Sequence, residues 1–277
     1  MGNPNLSFLD DKSSLSMEEL NEQGVQAYSL GDYTEAVRLW TEAAQQGDAN
    51  AQYNIGMCYN VGQGVQQSYT KAADWYKRSA AQGNERAQFI LGVFYEKGLG
   101  VKQSYSQAVE RYCKAAEQGF VEAYNALGVC YERGLGVEQS YTQAIDFFRQ
   151  AAVMDFADAQ FNLGVCYERG LGVEQSYNIA IELYNRAAEQ GFADAQFNLG
   201  KCYESGLGVP KDCVRAVEWY RMAAEQGLDD AQYQLGLCYL FGVGVSQSIE
   251  TASKWLKKAE AQGMKMATAV MKKYCIR

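Results

Sequence analysis

The chain has 277 residues, and its 25 lysines and arginines against 33 aspartates and glutamates give a formal net charge of −8. Hydrophobic residues make up 48% and charged residues 21%, which is the composition of a folded globular protein. Histidine is absent, so the commonest general base and the commonest metal ligand are both missing. An acidic chain without basic clusters also lacks the positive patch that nucleic acids and anionic membranes require. The composition therefore disfavours most enzyme classes and both of those partners.

The two ends of the chain contain no targeting signal that we recognise. Residues 1–20 lack the apolar core of a secretory signal peptide, and no run of about 18 apolar residues is present to span a membrane. We therefore expect a cytoplasmic protein. Residues 1–16 are expected to form a flexible segment that precedes the first helix.

The first predicted helix pair covers residues 17–50. Twelve residues separate Gly24 from Ala36, whereas 16 separate the corresponding Gly56 and Ala72 of the next pair. We therefore expect the loop between the two helices to be four residues shorter in the first pair.

A 36-residue period governs the rest of the chain. One alanine recurs at this interval without any insertion: Ala51, Ala87, Ala123, Ala159, Ala195, Ala231 and Ala267. A glycine and a tyrosine keep the same spacing, as in Gly164 and Tyr167. Such a period indicates stacked supersecondary units. We place six repeats at residues 51–266 and a C-terminal capping helix at residues 267–277.

Each repeat is predicted to begin with a helix that ends at a glycine. In residues 158–169, the apolar side chains of Ala159, Leu163 and Cys166 recur at the spacing of one helical face. Gly170 follows, and glycine adopts the positive φ that many helix ends need.

The second helix of each repeat is predicted to begin after an N-cap. A short polar side chain stands there in every copy: Ser68, Ser104, Ser140, Ser176, Asp212 and Ser248. Acid–base pairs one turn apart are expected on the outer face of this helix: Asp74 with Arg78, Glu110 with Lys114, and Glu182 with Arg186.

The residue that follows the second helix is glycine in most copies, as at Gly119 and Gly191, but it is Asp155 in one of them. We expect a left-handed conformation there, which carries a cost for a non-glycine residue. Asp155→Gly is therefore expected to raise stability by about 0.5–1 kcal/mol.

These residues resemble the Sel1-like repeat, a longer relative of the tetratricopeptide repeat. The resemblance rests on Ala-Asp-Ala-Gln-Phe-Asn-Leu-Gly, Tyr-x-x-Gly-x-Gly-Val and Ala-Ala-Glu-Gln-Gly, and it covers residues 51–266. Residues 17–50 resemble a shorter, tetratricopeptide-like helix pair. The resemblance implies an all-α fold, a right-handed α/α solenoid (superhelix) of stacked antiparallel helix pairs, in which the first helices line a concave groove.

The eight cysteines favour neither disulfides nor a metal site. Equivalent residues of neighbouring repeats are expected to lie about 8–10 Å or more apart, too far for a disulfide or for convergent zinc ligands. The paired cysteines eight residues apart that some bacterial Sel1-like proteins carry are also absent. We expect reduced thiols, no metal and no cofactor. Five of the cysteines share one repeat position: Cys58, Cys130, Cys166, Cys202 and Cys238.

Ser68 and Lys71 have the Ser-x-x-Lys spacing of some acyl-transferring hydrolases. Other copies keep the serine and lose the lysine, as in Ser104 and Gln107, so a helix N-cap accounts for the serine. We therefore expect no enzyme and no catalytic residue. The alternative is a bacterial-type Sel1-like protein that binds a small molecule or the cell wall and has weak hydrolase activity of the β-lactam type.

The resemblance implies a non-catalytic, monomeric adaptor or scaffold that binds a protein or peptide partner in its concave groove. Asn125 replaces the ring found in other copies, which predicts a pocket between Phe89 and Phe161. The other rings either face a ligand or pack between adjacent first helices, and both interpretations stay open. The candidate groove residues are Tyr53, Phe89, Asn125, Glu132, Phe161, Glu168, Phe197, Lys201 and Tyr233.

Overall fold

The structure, a computed structural model, describes residues 15–276, and all regular secondary structure in this range is α-helical. Its fifteen helices are α1 (Met17–Ser29), α2 (Tyr33–Gln45), α3 (Ala49–Val61), α4 (Tyr69–Ala81), α5 (Glu85–Lys97), α6 (Tyr105–Ala116), α7 (Val121–Arg133), α8 (Tyr141–Val153), α9 (Ala157–Arg169), α10 (Tyr177–Glu189), α11 (Ala193–Ser205), α12 (Cys213–Glu225), α13 (Asp229–Phe241), α14 (Ile249–Ala261) and α15 (Lys265–Lys273). The predicted flexible segment, residues 1–16, lies almost wholly outside the described residues.

The chain divides into two compact units, residues 1–120 and residues 121–277. In the described part of the first unit, α1–α6 form three pairs, and each helix packs against the next one in the chain. In the second unit, α7–α14 form four such pairs and α15 packs against α14. Consecutive helices joined by short loops run antiparallel, so each unit is a solenoid of stacked helix pairs, as the sequence predicted. Below, the odd-numbered member of each pair is its first helix.

Alanine and glycine let the two helices of a pair approach closely. Gly164 of α9 shows the reason for glycine, because a Cβ added there would lie 2.7 Å from Cε1 of Tyr184. Tyr184 on α10 is fully buried, together with Ala180 and Ala187. The aromatic ring thus fills the space that the missing side chain leaves.

The predicted N-caps of the second helices are confirmed. Each capping oxygen accepts a hydrogen bond from a backbone amide of the first helical turn, at Ser68, Ser104, Ser140, Ser176, Asp212 and Ser248. The shorter first loop is confirmed as well, since α2 begins at Tyr33 after α1 ends at Ser29. By comparison, α3 ends at Val61 and α4 begins at Tyr69.

Only one of the three expected acid–base pairs forms as predicted. Nζ of Lys114 lies 2.9 Å from Oε1 of Glu110. Asp74 instead pairs with Lys77, and the Arg78 guanidinium lies 4.6 Å from the ring centroid of Trp75.

Arg186 is the second exception, because it turns toward the preceding helix pair. There it contacts Oδ1 of Asp155 at 3.3 Å and donates to the carbonyl of Ala152 at 3.1 Å. Contacts between repeats thus replace a pair that sequence spacing alone favoured.

Among residues 15–276, no helix combines the length and the apolar character needed to cross a bilayer.

Candidate functional site

A row of half-buried aromatic side chains recurs on the first helices. In the second unit it comprises Phe161, Phe197 and Tyr233. The ring of Phe161 lies 5.8 Å from that of Tyr184 on the second helix of its own pair and 5.2 Å from that of Phe192. These contacts fix one side of the ring by packing, while part of the side chain stays exposed.

Phe197 repeats this arrangement in the next helix pair, where its ring centroid lies 5.6 Å from that of Tyr220. Tyr233 packs against the small cluster that contains Leu256 and Met271.

The first unit has the same arrangement. Tyr53 lies 5.7 Å from Tyr76, and Phe89 lies 5.6 Å from Tyr112 and 5.1 Å from Phe120, measured between ring centroids. Each described ring of the row therefore packs against the second helix of its own pair.

Asn125 takes the place of the ring in the helix pair α7–α8. Its side chain is half-buried, and its Oδ1 accepts a hydrogen bond of 2.9 Å from Nδ2 of Asn162 on α9. The missing ring thus leaves a polar amide pair. Phe89 belongs to the other unit, so the pocket between Phe89 and Phe161 stays a prediction.

A row of glutamates lies seven residues further along the first helices. The Tyr184 hydroxyl donates to the Glu168 carboxylate, and the Tyr220 hydroxyl donates to Oε2 of Glu204 at 2.7 Å. Burial, together with the adjacent carboxylate, raises the pKa of Tyr184 and of Tyr220 above the ordinary value. Both phenols therefore stay protonated and donate to these carboxylates at neutral pH.

The first unit contains the same tyrosine–glutamate pair. The Tyr112 hydroxyl donates to Oε2 of Glu96 at 2.6 Å. Glu96, Glu168 and Glu204 are thus all held by a tyrosine from the second helix.

Glu132 occupies this position in α7, but the repeat position of the tyrosine on the second helix is taken by Phe148, which has no hydroxyl. No hydrogen bond or ion pair from any described residue reaches the half-buried Glu132 carboxylate. Its negative charge adds to burial in raising the pKa of the Cys166 thiol to about 12. The Glu132 carboxylate therefore lies near a buried thiol, and no described side chain donates a hydrogen bond to it.

The first helix that follows Phe148 also differs in the contacts of one asparagine. In the following repeat, the side chain of Asn198 lies near the Tyr184 hydroxyl and opposes the rise in its pKa. Asn162 is the corresponding residue one repeat earlier, and it bonds to Asn125 instead. The repeat that lacks the tyrosine hydroxyl, at Phe148, thus also contains the Asn125–Asn162 amide pair and the unpaired Glu132 carboxylate.

Lys201 introduces a positive charge further along the second unit. It is exposed, and its Nζ lies 5.7 Å from the ring centroid of Phe197. Glu132 and Lys201 therefore give opposite charges to two different helix pairs.

The sequence prediction included Glu132 and Asn125 but missed Phe148. The signal was present, because Tyr112, Tyr184 and Tyr220 share one repeat position with Phe148. Only the structure shows that this position faces the glutamate row.

The candidate serine and its lysine take structural roles. Ser68 Oγ accepts a hydrogen bond from the Lys71 amide, and the Lys71 ammonium lies 5.2 Å from the ring centroid of Tyr59.

All five cysteines of the shared repeat position are buried. Burial raises the pKa of the thiols of Cys58 and Cys202 to about 11 and of Cys238 to about 12. Within the described range, no three cysteine, aspartate or glutamate side chains converge as a metal site.

The comparison with protein families agrees with this repeat geometry. Seven segments match the Sel1 repeat: residues 16–48, 49–84, 85–120, 121–154, 157–192, 193–228 and 229–264. The chain belongs to the Sel1 repeat family. The first matched segment is the helix pair likened above to a shorter tetratricopeptide unit. No curated protein matches this Sel1 repeat protein.

Two bacterial structures are similar over most of the chain. A Sel1 repeat protein from Oxalobacter formigenes has 34% sequence identity and a TM-score of 0.81, with 87% of this chain and 96% of the other covered. The c5321 protective antigen of uropathogenic Escherichia coli, which displays an SLR fold, has 37% identity and a TM-score of 0.78. The match covers 92% of this chain but only 56% of the antigen, so the present chain spans little more than half of that protein.

A more distant structure, the immunity protein PA5088 from Pseudomonas aeruginosa, has 19% identity and a TM-score of 0.52. The match covers 77% of this chain and 80% of the other. At this identity the likeness concerns the fold alone.

Proposed function

We propose that this Sel1 repeat protein is a non-catalytic adaptor or scaffold that binds a protein or peptide partner along its first helices. The observation that carries the proposal is the row of half-buried rings on the first helices, in which the amide of Asn125 replaces one ring. Partly exposed rings beside a polar gap provide apolar contact area and hydrogen bonding in one place. Stacked repeats commonly present such extended surfaces to partners.

A binding role suits the chemistry of the chain better than a catalytic one. Histidine is absent, and Ser68 is occupied as a helix cap. The buried thiols have raised pKa values, which disfavours the thiolate form that nucleophilic catalysis needs. Buried thiols also suit a reducing compartment, so we place this monomeric scaffold in the cytoplasm.

The test is selection of random dodecapeptides, displayed on phage, against the purified chain. Enriched peptides are expected to compete with one another for one surface. Asn125→Phe fills the gap with a ring, so it is expected to weaken the binding of the best peptide by about tenfold. Fluorescence anisotropy with the labelled peptide measures the change.

The matched control is Glu182→Lys, on the exposed face of α10. Peptide binding to this variant is expected to equal that of the wild type. The proposal is overturned if no peptide is enriched, or if the best peptides bind Asn125→Phe, folded by circular dichroism, as tightly as the wild type.

A further inference from the structure

We infer that the Glu132 carboxylate receives a basic side chain, lysine or arginine, of the bound peptide, an inference that rests on the proposed function. Three other glutamates at this repeat position, Glu96, Glu168 and Glu204, accept a tyrosine hydroxyl. Glu132 keeps the carboxylate although Phe148 removes the donor. A half-buried carboxylate without an internal donor gains most from a cation supplied by a ligand.

The surroundings of Glu132 favour a cation over a neutral group. The Glu132 carboxylate raises the pKa of the buried Cys166 thiol and Arg169 lowers it, but no described lysine or arginine forms an ion pair with Glu132. The chain as a whole carries a formal charge of −8, which also attracts a basic peptide. The exposed Lys201 on α11 carries the opposite charge, so a basic side chain is favoured at α7 over α11.

The spacing along α7 sets the length of the recognised motif. Asn125 and Glu132 are seven residues apart, so they lie on the same helical face at a separation of about 10 Å. An extended peptide advances about 3.3 Å per residue, so about three residues span this distance. The basic residue at Glu132 is therefore expected about three positions from the residue that contacts the amide pair of Asn125 and Asn162.

The experiment compares the peptides enriched by the wild-type chain with those enriched by Glu132→Gln. The wild type is expected to enrich peptides with a lysine or arginine at a fixed position, and Glu132→Gln is expected to lose that preference. The best wild-type peptide should bind Glu132→Gln about tenfold more weakly. Glu182→Gln, on the exposed face of α10, is the matched control, and its effect is expected to stay below about threefold.

A second variant keeps the proposal testable if Glu132→Gln folds poorly. Phe148→Tyr supplies the missing hydroxyl, which is expected to compete with the peptide for Glu132 and to weaken binding severalfold. Failure of the wild type to bind any peptide would sink the proposed function itself. Peptides that bind without a basic preference, or that bind wild type and folded Glu132→Gln equally, would overturn only the assignment of Glu132.

Discussion

The helix pairs α7–α8 and α9–α10 have the same helix lengths but different buried partners. In α9–α10, the Tyr184 hydroxyl donates to the Glu168 carboxylate. In α7–α8, Phe148 takes the place of the tyrosine, and Glu132 is left without this donor. One partner of the pair has changed and the other has not.

A second buried pair differs between the same two helix pairs. Nε2 of Gln190 donates to Oε1 of Gln160 at 2.9 Å, and Gln160 is fully buried. The corresponding residues in α7–α8 are Met154 and half-buried Tyr124. Here both partners have changed together. A cavity of about 370 Å³ lies at this place and is lined by Tyr124, Arg149, Gln150, Val153 and Met154.

The difference teaches where this molecule tolerates an unpaired polar group. Replacing both members of the amide pair leaves no buried donor or acceptor without a partner, which avoids the cost of desolvation. Glu132, in contrast, is retained although the tyrosine that would donate to it is absent, so the cost of desolvation is not avoided there. The comparison therefore favours a role for Glu132 outside the folding of its own repeat.

Exchange of the hydroxyl between α9–α10 and α7–α8 should have the largest effect on the free energy of unfolding. Tyr184→Phe removes the donor to Glu168 and is expected to lower the free energy of unfolding by about 1–2 kcal/mol. Phe148→Tyr should raise it by about 0.5–1 kcal/mol, because the new hydroxyl reaches Glu132. Urea denaturation of the full chain measures both changes. Shifts of the same sign in the two variants would show that the pairs are not equivalent.

Exchange of the amide should have a smaller effect. Gln190→Met leaves the buried Oε1 of Gln160 without its donor and is expected to cost about 1 kcal/mol. Met154→Gln, its counterpart in α7–α8, should change stability by less than about 0.5 kcal/mol, because Met154 is half exposed and Tyr124 stands where Gln160 does in α9. The urea midpoints of the two variants check this, and an equal loss in both would contradict it.

Replacement of Asp155 by glycine should have the smallest net effect on the free energy of unfolding. Its φ of 62° confirms the left-handed conformation, and its Oδ1 accepts a hydrogen bond of 2.7 Å from Gln160. The contact with Arg186 adds to this. Asp155→Gly relieves about 0.5–1 kcal/mol of backbone cost but loses both contacts, so a change within about 0.5 kcal/mol is now expected.

Thermal and urea unfolding of Asp155→Gly and of Asp155→Asn test this balance. Asparagine tolerates the left-handed conformation and keeps an acceptor, so its stability should match that of the wild type. A gain near 1 kcal/mol for the glycine variant would show that the side-chain contacts contribute little.

Much of the backbone could be predicted from the sequence. The 36-residue period, the N-caps such as Ser68 and Ser140, and the left-handed position of Asp155 all depend on interactions within a few residues. Such local interactions are set by side-chain periodicity and by backbone sterics, so one sequence is enough to infer them.

The partners of the polar side chains were decided by the tertiary structure. Asn162 bonds to Asn125, 37 residues away, and Arg186 leaves Glu182 for Asp155, 31 residues away. The packing of one helix pair on the next brings these groups together, and that geometry is not encoded in local spacing. The sequence by itself therefore determined the repeated helix pair and its ends. Only the packing of the helices, within each pair and between pairs, decided which polar groups are satisfied internally, because a hydrogen bond forms only where packing places a donor within about 3 Å.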